Sequence, residues 1–108
     1  MFPKITQIKP IIDSYKVELI KNDIKPLKFI VYGSFASGET NRWSDIDLVV
    51  VANDFGKRSK LERMEFLSQR AASINDSLEV LGYTSKEMKE EEDSIFGEVI
   101  SNGIEVKV

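Results

Sequence analysis

The chain has 108 residues, 42% of them hydrophobic and 31% charged, which suits one domain over 1–108 with a real core and leaves no room for a second. It has no cysteine and no histidine, which excludes disulfides, thiolate or imidazole metal sites and every Ser-His or Cys-His nucleophile pair; any metal must be held by oxygen, as Mg2+ or Mn2+ is. The net charge of −3 divides into +3 over residues 1–75 (12 basic, 9 acidic) and −6 over residues 76–108 (3 basic, 9 acidic), which argues against a chain that coats nucleic acid.

Residues 4–22 set Ile5, Ile8, Ile12, Tyr15, Val17, Leu19 and Ile20 at near-helical spacing. Pro10 suits a helix start and Asn22-Asp23 a stop, so a helix is predicted over 10–22. Leu27 to Tyr32 reads as a buried strand ending at Gly33. Ser34 to Gly38 fits a short helical turn, and Glu39 to Ser44 a polar loop. Asp45 to Ala52 is a second strand, apolar on both faces at Leu48-Val49-Val50-Val51 and therefore central. A helix is predicted over 57–74 with Leu61, Met64, Leu67, Ala71 and Ile74 as its apolar stripe. A third strand covers 77–83. A helix capped by Thr84 or Ser85 follows, then a short helix from Ile95 to Ile100 ended by Asn102-Gly103. Ile104, Val106 and Val108 alternate with Glu105 and Lys107 as a last edge strand. This order implies an α/β (α+β) fold with a mixed central sheet of about four strands flanked by helices.

Asp45 and Asp47 open the central strand two residues apart, so they share a face and lie about 6.5–7 Å apart along the chain. Carboxylates so spaced can bridge two hard cations or grip one, with substrate phosphate completing the shell. Taken singly, Asp45 also reads as a turn cap and Asp47 as a solvated strand residue. Gly33-Ser34, at the end of the preceding apolar strand, gives an anion close access to backbone N–H groups and a hydroxyl. Taken singly, it also reads as an ordinary strand-to-helix turn. Glu79 is the one ionisable residue inside Ser77-Leu78-Glu79-Val80-Leu81, which suggests either a third acid near a metal or a solvent-facing edge position. Asp76 is the reserve candidate, although Asn75-Asp76 reads as turn chemistry.

The stretches Val31-Tyr32-Gly33-Ser34-Phe35-Ala36-Ser37-Gly38-Glu39 and Trp43-Ser44-Asp45-Ile46-Asp47-Leu48-Val49-Val50 resemble the signature of the DNA polymerase beta-like nucleotidyltransferases. Within them the chain is most similar to the minimal nucleotidyltransferase (MNT) family, small domains of this size that include antitoxins. The resemblance implies a nucleotidyltransferase fold and transfer of a nucleoside monophosphate, AMP from ATP, with two Mg2+ ions. By the same resemblance Asp45 and Asp47 match the metal-binding acids, Glu79 matches the third carboxylate, and Gly33 and Ser34 match the triphosphate turn. Two positions depart from the pattern. Ser37 stands where many relatives carry an arginine on phosphate, with Arg42 as a nearby substitute, and Glu79 stands where aspartate is frequent.

The resemblance further implies a helical HEPN-family partner, a toxin whose tyrosine hydroxyl accepts AMP. The acidic C-terminal third suits a basic partner, or is simply a solvated face. A catalytically weak module that neutralises such a partner by occlusion is the alternative. An oligomeric enzyme acting on a small molecule is a third reading. Trp43 suits a pocket wall, a partner contact or a place folded onto the core. No run is long enough to span a membrane, and Met1-Phe2-Pro3-Lys4 lacks a signal-peptide core, so a cytoplasmic protein is expected.

Overall fold

Four short apolar runs, β1 (Lys28–Tyr32), β2 (Ile46–Val51), β3 (Leu78–Tyr83) and β4 (Ile104–Lys107), pair into one sheet of order β3-β2-β1-β4. The computed structural model describes residues 5–33 and 45–107, with the side chain of Ile5 excepted. β1 runs antiparallel to both β2 and β4, whereas β2 and β3 are parallel and joined by a crossover helix, so the sheet is mixed. β2 is central, as its two-sided apolar run predicts, and β4 is an edge strand. The predicted turn over 34–38 and loop over 39–44 lie outside the described residues.

Alternation along the strands sorts the side chains onto two faces. Phe29, Val31, Leu48, Val50, Leu78 and Val80 face the main core, where they meet Ile8, Ile12, Tyr15 and Leu19 of α1 (Ile5–Lys21) and Leu67 and Ala71 of α2 (Lys60–Ala72). The other face carries Ile30, Val49, Val51, Tyr32, Leu81 and Tyr83. Among the described residues it is covered by α3 (Ser85–Glu90) and α4 (Ile95–Ser101), through Met88, Phe96 and Ile100.

The helix predicted to start at Pro10 starts five residues earlier, with Pro10 inside it. Proline lacks an N–H and so leaves the carbonyl four residues back without its helical partner. Ile8 and Ile12, both fully buried on either side of Pro10, supply the packing that keeps the first turn helical. The end falls where expected. Asp23 turns left-handed at φ 65, the Ile24 N–H donates to the Leu19 carbonyl (2.9 Å) and the Asp23 N–H to that of Ile20 (3.1 Å). That pattern is a Schellman closure. Tyr15, fully buried, donates its hydroxyl to the Leu67 carbonyl (2.9 Å), pinning α1 to α2.

α2 is shorter than the predicted 57–74 span, and its stripe differs at the N-terminal end. Ser59 caps it in a reciprocal box with Glu62. Leu67 and Ala71 are buried as predicted and Ile74 packs against the core. Leu61, however, is 65% exposed and Met64 43%, while Arg63 is only 9% exposed. Arg63 lies one turn before Leu67 on the inward row, and Gly82 leaves room for its stem. A Cβ at Gly82 would come 3.2 Å from Arg63 Cδ and 3.1 Å from Phe55 Cζ. The guanidinium stacks 4.5 Å over the Phe55 ring and donates to the Gly82 carbonyl (3.2 Å) and Glu87 Oε1 (2.6 Å).

Glu87 is also the N3 residue of the box that Thr84 forms at the start of α3, one of the two predicted caps. Burial raises its pKa, but the hydrogen bond from the Thr84 backbone and the Arg63 guanidinium outweigh this and leave it lowered. A lowered carboxyl contributes stability that is present at neutral pH and lost as pH falls below the ordinary glutamate value of 4.5. Wild-type thermal melts are therefore expected to drop on acidification through that region, and Glu87→Gln to flatten the drop. An unchanged acid slope in Glu87→Gln would count against the pairing. Among the described residues no helix is long and apolar enough to cross a membrane.

Candidate active site

The strand pairings bring the predicted acids together. Asp47 and Glu79 are register partners on the parallel strands β2 and β3, and Tyr32, the last residue of β1, is the partner of Asp47 on its other side. All three belong to the face that carries Val49, Ile30 and Leu81, by the same alternation. β2 starts at Ile46, one residue later than predicted, so Asp45 lies just before the strand; it interacts with both Asp47 and Glu79. Three carboxylates thus meet at one end of the sheet. The solvent-facing edge position considered for Glu79 is the one observed: β3 is an outer strand among the described residues and Glu79 is exposed.

The electrostatics are those of a crowded anionic site. The Asp47 carboxyl is raised above its usual value by burial and by Asp45, against a lowering hydrogen bond with Glu79. Glu79 is raised first by the charge of Asp45, then by burial and by its contacts with Asp45 and Asp47. Burial pushes the Tyr32 hydroxyl up to about 12, with help from Asp47, Tyr83 and Glu79. Tyr32 also makes an edge contact with Phe96 at 5.6 Å between centroids, and Phe96 in turn lies 6.0 Å from Tyr83.

Gly33 ends β1 at φ +69, a backbone conformation that glycine adopts without strain. A Cβ there would collide with Asp47 Oδ2 and come 3.3 Å from its Cγ. The turn backbone is therefore pressed against the carboxylate, and only a residue without a side chain permits it. Ser34, Ser37, Arg42 and Trp43 lie outside the described residues. Asp76 sits exposed in the turn before β3, where Asn75 Oδ1 accepts from the Ser77 N–H (2.8 Å), in keeping with turn chemistry.

No three acidic side chains among the described residues close on a cation unaided. Mg2+ seldom requires that; it takes one or two carboxylates and fills its shell with waters and substrate phosphate oxygens. Adjacent carboxylates held above their ordinary pKa values, with the Gly33 backbone beside them, are a donor set that fits a hard divalent cation. A separate cavity of about 480 Å3 opens at the far end of the same face, over Ile30, Val51, Met88 and Ile100, and none of the three acids lines it.

Sequence reasoning did not single out Tyr32 or Arg63. Alternation from the buried Ile30 would have placed Tyr32 on the acidic face. The partners of Arg63 lie 19 and 24 residues away, at Gly82 and Glu87, and nothing local announces them.

The model of the nucleotidyltransferase domain family matches residues 14–106. No curated protein matches the chain significantly. Among solved structures, the chain is similar to a crystal structure of a Sulfolobus solfataricus protein provisionally assigned as a nucleotidyltransferase. The TM-score is 0.62 at 17% identity, covering 92% of this chain and 78% of that one. At that coverage and TM-score the fold is that of this neighbour.

Proposed function

Because the chain belongs to the nucleotidyltransferase domain family, we propose that it transfers AMP from ATP to a hydroxyl group, using Asp45, Asp47 and Glu79. The observation that carries the reading is the register that sets Asp47 against Glu79, with Asp45 interacting with both and Gly33 against Asp47. Asp45 and Asp47 would hold Mg2+ or Mn2+, with Glu79 beside them. The bound cation supplies charge neutralisation on the phosphates and polarises the transferred group. The Gly33-Ser34 turn would offer N–H groups and a hydroxyl to the triphosphate, with Ser37 and Arg42 as further phosphate contacts. In the transfer, the acceptor oxygen forms a bond to the α-phosphorus, the α–β bridging bond breaks and pyrophosphate leaves. In this reading the acceptor proton passes to the Glu79 carboxylate.

The acceptor in this reading is a tyrosine of a HEPN-family toxin, and the chain is its antitoxin in the cytoplasm. The resemblance of residues 31–39 and 43–50 to the minimal nucleotidyltransferases supports this, as does the −6 charge of residues 76–108, which suits a basic partner. The test is incubation with ATP labelled at the α-phosphate, Mg2+ and a HEPN-family protein encoded beside this chain. Label on a tyrosine of the partner is expected, and Asp45→Asn with Asp47→Asn should remove it. No label, with partner inhibition that survives both substitutions, would overturn the enzymatic reading in favour of occlusion. Label on a small hydroxyl compound with no partner present would point to the oligomeric small-molecule enzyme instead.

A further inference from the structure

β4 has one edge on β1, and among the described residues no strand pairs with the other. Natural edge strands commonly carry charge to discourage indiscriminate pairing. Here the charges are arranged so that one particular pairing is favoured. The strand reads Ile104-Glu105-Val106-Lys107. Run antiparallel to itself about Val106, it sets Glu105 of each copy opposite Lys107 of the other, and Val106 opposite Val106. Opposite charges directly across an antiparallel pair are stabilising, and like charges destabilising.

The single chain leaves a charge imbalance at this place. Register puts Lys107 directly beside Lys28 across β1 and β4, a cation next to a cation. Lys28 has its own partner, Glu105 Oε1, at 3.0 Å. Lys107 has no acidic partner among the described residues. On the other face, Ile104 and Val106 are only partly buried at the margin of the main core. A strand laid along the edge would continue that apolar row.

We propose that a second copy of this chain docks on the free edge of β4, antiparallel about a two-fold axis at Val106, giving a continuous eight-stranded sheet. The contact is isologous, so each dimer contains the Glu105–Lys107 pair twice. Main-chain hydrogen bonds along the edge supply affinity, and the two charge pairs fix the register. The acids at the Asp47 end of β2 take no part, so the assembly stands or falls separately from nucleotide transfer.

Charge exchange tests it by sedimentation velocity at low ionic strength. Wild type is expected to sediment as a dimer of 12.3 kDa chains. Lys107→Glu sets acid against acid at both positions and Glu105→Lys sets base against base. Each variant alone should associate at least roughly tenfold more weakly. Mixed in equal amounts they are complementary again at both positions and should recover a heterodimer of near wild-type affinity. That recovery is something a merely damaged fold would not show. If either single variant melts early, the double variant Glu105→Lys with Lys107→Glu, which also places an acid opposite Lys28, should dimerise like wild type. A monomeric wild type, a dimer indifferent to Lys107→Glu, or single variants that do not recombine would overturn the proposal.

Discussion

Asp47→Asn is expected to lower nucleotidyl transfer by about a thousandfold or more, and at the same time to raise the melting temperature of the metal-free protein. The loss follows from the role assigned to Asp47: an amide cannot supply the negative ligand that offsets phosphate charge, and electrostatic stabilisation of that kind is commonly the largest part of catalysis. The gain follows from the crowding. Asp47 and Glu79 are both raised above their ordinary values of 3.8 and 4.5. A carboxyl whose folded pKa is raised costs stability above that pKa, because the unfolded chain ionises more readily. Stability of the metal-free protein therefore falls as pH rises from those ordinary values through the raised ones, the reverse of the Glu87 contribution. The asparagine removes one charge from the cluster at nearly unchanged shape. Mn2+ should stabilise wild type, by about 2.7 kcal/mol at a hundred times its dissociation constant, and should do far less for the variant. Rate measurements with labelled ATP and melts with and without Mn2+ read both effects. A variant that keeps its rate, or melts lower than wild type without metal, would refute the assignment.

Gly33→Ala is expected to cost about 1–2 kcal/mol of stability from the left-handed backbone and about a hundredfold in transfer rate. The second cost is the informative one. The new methyl group collides with Asp47 Oδ2, so either the turn or the carboxylate must move, and a displacement of about an ångström at a reacting centre is worth about a hundredfold. Gly56 provides an internal control. Its φ is +70, matching +69 at Gly33, yet a Cβ there would meet nothing nearer than Arg58 Nη1 at 4.0 Å. Gly56→Ala should show a similar loss of melting temperature with no loss of rate. Equal rate losses in the two variants would mean that backbone strain alone, rather than the contact with Asp47, is responsible.

Much of the fold is legible in the chain because period and punctuation are local properties. The run Leu48-Val49-Val50-Val51 announces a strand buried on both faces, and β2 is central. Thr84 three residues before Glu87 spells a capping box, and the box is there. Asp45 reads as the first residue of that strand, but β2 starts one residue later, at Ile46. The failures are equally physical. Pro10 reads as a helix start, but the tertiary burial of Ile8 and Ile12 outweighs its missing hydrogen bond. Arg63 reads as surface because a buried guanidinium needs partners, and its partners are a carbonyl and a carboxylate supplied from β3 and α3. Glu79 could be named as a third acid, but its place opposite Asp47 depends on which strands pair and in what register, which no local pattern states.

That register has an evolutionary corollary. Side chains alternate with period two, so sliding β3 past β2 by one residue would exchange its faces, sending Glu79 toward α1 and α2 and bringing Val80 beside Asp47. The alternation that buries Leu78 and Val80 against the core forbids such a slip, and it does so wherever β3 begins in the chain. The connections around α2, including the exposed Asn53-Asp54 and Gly56-Lys57, can therefore lengthen or shorten while the acids stay matched. A one-residue deletion within β3 itself is the kind of change this arrangement cannot absorb.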